Sequence, residues 1–137
     1  MNRASPNLRI YAKNLIAYEM SQTVSSKPTS IAAFAVIEKL SPHFGALMGG
    51  AGFRALISRS LMLANAEVAW LRDLGVEKDG SFEGLKELEA KISPEEISAG
   101  GIVVLAQLLG LLVTLIGEDL TLRLLSNIDN LKLGTED

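Results

Sequence analysis

Cysteine is absent from this chain of 137 residues, and histidine occurs only once, at His43. Without cysteine the chain has no disulfide, no thiolate metal ligand and no cysteine nucleophile. A lone histidine beside a proline is more often a surface or capping residue than part of a zinc site. Asp79, Ser81 and Glu83 have the alternate spacing of a calcium loop, but its other acidic positions are missing. We therefore expect no metal and no cofactor.

Aromatic residues are also scarce, at 5% of the chain, whereas hydrophobic residues make up 48% and charged residues 21%. This composition is that of a globular protein in which aliphatic side chains fill the core. Leucine and alanine combine good helix propensity with good packing, so the composition favours packed helices. We predict a single helical domain over residues 1–133 and a flexible tail over residues 134–137.

Charge is distributed unevenly along the chain. Residues 1–72 contain eight basic and three acidic residues, a net charge of +5, and residues 73–137 contain five basic and thirteen acidic residues, a net charge of −8. A chain polarised in this way can fold its halves against each other or pair with a second copy. The basic residues are scattered rather than clustered, so we expect no nucleic-acid binding.

The amino-terminal segment has no apolar run of the length that a secretory signal needs, because Arg9, Lys13 and Asn14 interrupt it. We therefore expect a cytoplasmic protein.

The run over residues 52–61 reads like a packed helix of a bacterial protein.

Proline and glycine mark the predicted ends of the helices. In Ser5-Pro6, Ser41-Pro42 and Ser93-Pro94, a serine N-cap precedes a proline at the first helical position, where the missing N–H costs nothing. Glu96 completes a capping box with Ser93. Gly49-Gly50 is expected to close a helix in the left-handed conformation. The spacing of apolar residues then predicts six helices, over residues 6–23, 28–40, 42–48, 52–74, 85–91 and 94–127.

Residues 76–84 break the helical pattern. Asp79-Gly80 is a strong signal for a two-residue turn, and Val76 and Phe82 flank it. We expect a small β-hairpin or an extended loop here, with Phe82 anchoring it to the core.

Residues 99–117 contain no charge over nineteen residues, which as a helix is about 28 Å long. This length is sufficient for a membrane span. The flanks are acidic, with Glu95 and Glu96 before the run and Glu118 and Asp119 after it, and no tryptophan or tyrosine marks an interface. We therefore favour a buried central helix, with a kink near Gly117-Glu118, and a compact all-α bundle of about six helices around it.

A helix that is apolar on every side must be covered on every side. The other predicted helices are few and two are short, so we expect one stripe of the central helix to be left for a second subunit or for another protein. A symmetric homodimer is the default form of such an assembly. The predicted interface consists of Trp70, Leu105, Leu109, Leu112 and Ile116. Trp70 would either anchor this interface or cover the edge of the core.

Two further groups of residues carry weaker hypotheses. Gly50, Gly52 and Arg54 would form an anion site at a helix start, although a tight turn between two helices is the favoured interpretation. Glu67, with Arg59 two turns earlier, would act as a general base if it were buried, whereas an exposed, paired carboxylate is more common.

The sequence favours a noncatalytic helical domain that acts through protein contacts and self-associates, because aliphatic residues are in surplus and no catalytic motif is found. One alternative is a domain that binds a small apolar ligand around Gly101, Gln107, Gly110 and Thr114. A second is a protein that inserts into a membrane through residues 99–117. An enzyme is not favoured, although polar side chains from distant helices can still meet in space.

Overall fold

The computed structural model of the chain describes Ile10, residues 12–15, Ala17, residues 31–78 and residues 81–127. Ile10, residues 12–15 and Ala17 have helical backbone, as predicted for the first helix. The remaining described elements are α1 (Ala32–Met48), α2 (Gly50–Asn65), a 3-10 helix (Ala69–Asp73), β1 (Gly75–Val76), β2 (Phe82–Glu83), α3 (Leu85–Lys91), α4 (Pro94–Ile116) and α5 (Glu118–Asn127). The predicted all-α compact fold is confirmed.

Some predictions fall on residues that the structure does not describe. These are the helix starts at Pro6 and Pro28, the Asp79-Gly80 turn and the tail over residues 134–137.

Helix α1 continues through Pro42, where the sequence predicted the start of a separate helix. The predicted break between residues 28–40 and 42–48 is therefore wrong. An interior proline costs about 3 kcal/mol, because it removes a hydrogen bond and crowds the preceding turn. Leu40 and Phe44, on either side of Pro42, are both buried, and burying a side chain of this size contributes about 1.5–3 kcal/mol. A single helix keeps both residues in register on the buried stripe.

The turn between α1 and α2 consists of Gly49 alone. Its φ of 89° and ψ of 144° belong to a region that only glycine adopts readily, rather than to the left-handed helical conformation that the sequence predicted. The Gly49 N–H donates to the Gly45 carbonyl at 2.7 Å. The rings of Phe44 and Phe53 stack across this turn, with their centroids 5.6 Å apart.

Helix α2 ends at Asn65, nine residues before the end that the sequence predicted at Leu74. Val68 adopts an extended conformation, with φ −131° and ψ 97°, and the chain then forms the 3-10 helix. This change of direction buries Leu71 completely and brings Trp70 against Gly100 of α4. The predicted helix end at Leu74 is therefore wrong. Tertiary contacts end the helix at Asn65, whereas the apolar spacing alone would continue it.

Helix α4 is the central helix of the bundle and packs against α1, α2 and α5. Every residue from 103 to 109 is buried. The helix begins as predicted at Pro94 after the N-cap Ser93, whose side chain accepts a hydrogen bond from the Glu96 N–H at 3.2 Å. At Gly117, with φ 91°, the chain breaks into the separate helix α5, so the predicted kink is a full interruption.

Two glycines of α4 allow its neighbours to approach closely. A Cβ atom placed on Gly100 would lie 2.5 Å from Cζ2 of Trp70. A Cβ atom on Gly101 would lie 2.7 Å from the Cβ atom of Ala33 in α1. Since both distances are shorter than the contacts that real Cβ atoms make, only glycine fits this packing.

The predicted β-hairpin is confirmed. Strands β1 and β2 pair antiparallel, with Gly75 opposite Glu83 and Val76 opposite Phe82. Phe82 anchors the hairpin through an edge-to-face contact with Phe34, at a centroid distance of 5.0 Å. Its backbone N–H also donates to a carboxylate oxygen of Glu38 at 3.4 Å.

Candidate functional site

The residues predicted to form an interface lie mostly inside the chain. Leu105, Leu109 and Leu112 are fully buried among the other helices, so they present no surface to a partner in this fold. Trp70 and Ile116 are half-buried. Of the five residues of the predicted interface, only these two therefore keep accessible surface. The other helices of the chain cover the side of α4 that we expected a second subunit to cover.

Exposed apolar surface lies instead where α4 ends and α5 begins. Leu115 is 61% exposed and Leu120 is 37% exposed, and the half-buried Ile116 lies between them in the chain. Asp119 and Arg123, both exposed, follow one helical turn apart on α5. We call these five residues the corner surface. The sequence did not single out Leu115, because a helix that is apolar all round does not indicate which of its residues remain outside. Leu120 follows this uncharged run and was not part of the predicted interface.

The predicted anion site at the start of α2 has another explanation. The Arg54 guanidinium donates from Nη1 to the backbone carbonyl of Lys78 at 3.3 Å, so this side chain ties the hairpin to α2. The Phe53 N–H already donates to the Gly49 carbonyl at 3.0 Å. Gly50 and Gly52 are exposed, and they belong to the tight turn that was the favoured interpretation.

The residues considered for catalysis and metal binding are dispersed. His43, Arg59 and Glu67 are all exposed, and Glu67 lies beyond the end of α2, so the burial that would make it a general base is not found. Within the described part of the chain, no group of three or more histidine, aspartate or glutamate residues could hold a metal ion.

The residues predicted to surround an apolar ligand do not leave space for one at Gly101, where Ala33 and Phe34 fill the available volume. Thr114 is exposed, and its hydroxyl donates to the Gly110 carbonyl of its own helix at 2.9 Å. Gln107 is buried. The two clefts described next lie elsewhere, beside the hairpin and after the end of α2.

One cleft lies beside the hairpin and has a volume of about 520 Å³. Its apolar surface comes from Ile31, Phe82 and Leu85, and four glutamates and one lysine also line it. A second cleft, of about 250 Å³, lies where the chain turns back after α2. We call it the α2 cleft, and its lining includes Leu61, Leu71 and Arg72.

Comparisons of this chain with protein-family models, with curated proteins and with solved structures found no match.

Proposed function

We propose that this chain is a noncatalytic helical interaction domain that forms a symmetric homodimer through the corner surface. The observation that supports the proposal is the exposure of Leu115 at the end of α4 and of Leu120 at the start of α5. Single exposed apolar residues are common, whereas contiguous exposed apolar patches mark interaction sites. We further propose that it is a bacterial, cytoplasmic protein.

The charges of the corner surface fit a second copy of the same chain. In an antiparallel pair of α5 helices, Asp119 of each copy would face Arg123 of the other, so that the twofold axis creates two ion pairs. Exposed ion pairs contribute only about 0–1 kcal/mol each. The leucines would therefore supply most of the affinity, and the charges would set the antiparallel orientation.

Insertion into a membrane through α4 has less support. The helix is long and apolar enough to cross a bilayer, but 56% of its most apolar 18-residue window is buried inside the chain. Insertion would require α4 to leave its contacts with α1 and α2, and these contacts bury every residue from 103 to 109.

Reversal of the corner charges tests the dimer. Asp119→Arg and Arg123→Asp alone should each weaken the dimer about tenfold, because two attractive pairs become repulsive. The double variant should return close to the original affinity, since it restores both pairs with exchanged signs. Sedimentation equilibrium at low ionic strength measures these dissociation constants. The unsubstituted chain should have an apparent mass of twice 14.7 kDa.

Arg59→Asp is the matched control, because Arg59 is exposed on α2, outside the corner surface. It should leave the dimer unchanged. Asp119 lies in the first turn of α5, where an acidic residue favours the helix, so circular dichroism must confirm that each variant is folded. A strictly monomeric original chain, or a double variant as weak as the single variants, would refute the proposal.

A further inference from the structure

The α2 cleft exists because α2 stops at Asn65 and the chain folds back beside it. Its first wall is formed by Ser58, Leu61, Met62 and Asn65 of α2. These positions follow the i, i+3, i+4, i+7 spacing of a single helix face. The opposite wall comes from the 3-10 helix and the residues that follow it, as far as strand β1.

The cleft presents both apolar and polar surface. Leu61, Leu71 and Leu74 line it but are almost wholly buried in the core, so the apolar surface that a ligand can reach comes mainly from Met62 and Val76. Met62, at the side, is 65% exposed, and its unbranched side chain can adapt to the shape of a ligand. A short hydrocarbon group placed here would be removed from water against a preformed wall.

The polar lining of the cleft is positively charged. Among the described residues that line the cleft, Arg72 alone carries a charge, and Arg72 is exposed. Ser58 and Asn65 add a hydroxyl and an amide. The lining residues thus include one cation and no carboxylate, although Glu83 is close by: a Cβ atom placed on Gly75, which lines the cleft, would lie 3.1 Å from a carboxylate oxygen of Glu83.

From this combination we propose that the α2 cleft binds a small organic monocarboxylate with a short apolar chain. The carboxylate would pair with the Arg72 guanidinium, whose planar fork matches its two oxygens. The hydrocarbon would lie against Met62 and Val76, which supply the accessible apolar surface. A single arginine suits one negative charge, and this apolar surface favours a ligand with a hydrocarbon part. This site is independent of the proposed dimer, because it shares no residue with the corner surface.

The test uses the full chain and three probes of similar size, namely hexanoate, hexanamide and hexylamine. Binding is followed through the backbone amide signals in two-dimensional NMR spectra. Hexanoate should shift signals in the second half of α2 and in the 3-10 helix, and it should bind about fivefold to tenfold more tightly than hexanamide. Hexylamine should bind most weakly of the three, because its charge has the same sign as Arg72.

Arg72→Gln should remove the preference for hexanoate over hexanamide and leave the binding of hexanamide itself unchanged. Arg59→Gln, an exposed arginine on α2 that does not line the cleft, is the control and should keep the preference. The inference fails if hexanoate shifts no signal in the cleft, if hexanamide binds as tightly as hexanoate, or if both arginine variants lose the preference equally.

Discussion

Leu105→Ala is expected to lower the free energy of unfolding by about 2–5 kcal/mol, the range for emptying a leucine site in a packed core. Leu105 is fully buried on α4, with core residues on every side of the helix. Chemical denaturation measures the effect, at protein concentrations low enough to exclude any contribution from self-association.

Leu115→Ala is the matched control, because it makes the same change on the same helix at a residue that is 61% exposed. Its free energy of unfolding should change by less than about 0.5 kcal/mol. Equal losses of unfolding free energy at the two positions would mean that Leu105 does not lie in the core.

Gly101→Ala should destabilise the chain by about 1–3 kcal/mol, even though alanine has the higher helix propensity. The added Cβ atom would lie 2.7 Å from the Cβ atom of Ala33 and 3.1 Å from a ring carbon of Phe34. The Cβ atom of Ala33 is fixed to the backbone, so α1 must move away from α4 to accommodate the substitution. Thermal and chemical unfolding should both detect this loss.

Gly52→Ala provides the contrast in sign. A Cβ atom at Gly52 would meet Cγ of Met48 at 3.7 Å, an ordinary van der Waals contact. Without a clash, the helix propensity of alanine should raise the free energy of unfolding by up to about 1 kcal/mol. If both variants were stabilised, the close approach of α1 and α4 would be refuted.

Features that depend on neighbouring residues could be predicted from the sequence. The cap at Ser93, the helix α3 and the hairpin follow from capping oxygens, helical spacing and turn residues that lie within a few positions of each other. Gly117 could also be identified as a weak point of the final helix, because glycine readily adopts a positive φ.

Features that depend on contacts between distant segments could not be predicted. Pro42 is a typical helix start on local grounds, yet the core holds Leu40 and Phe44 in one continuous helix around it. The end of α2 at Asn65 depends on contacts such as that of Trp70 with Gly100, which are thirty positions apart. The α2 cleft was missed for the same reason, since it is a product of that chain reversal.

The corner surface could not be predicted from the sequence for a different reason. An amphipathic helix reveals its exposed side through its polar residues, but residues 99–117 are apolar almost throughout and give no such indication. Leu105 and Leu115 are therefore equivalent in the sequence, and only the packing of α1, α2 and α5 distinguishes them.

The central claim is that protein, rather than lipid or water, covers α4. Because the chain has no cysteine, single substitutions Leu105→Cys and Leu115→Cys can be labelled with a water-soluble maleimide in detergent-free buffer. The cysteine at position 115 should react rapidly, and the one at position 105 should react only after denaturant is added. Rapid labelling at both positions in the folded chain would contradict the claim.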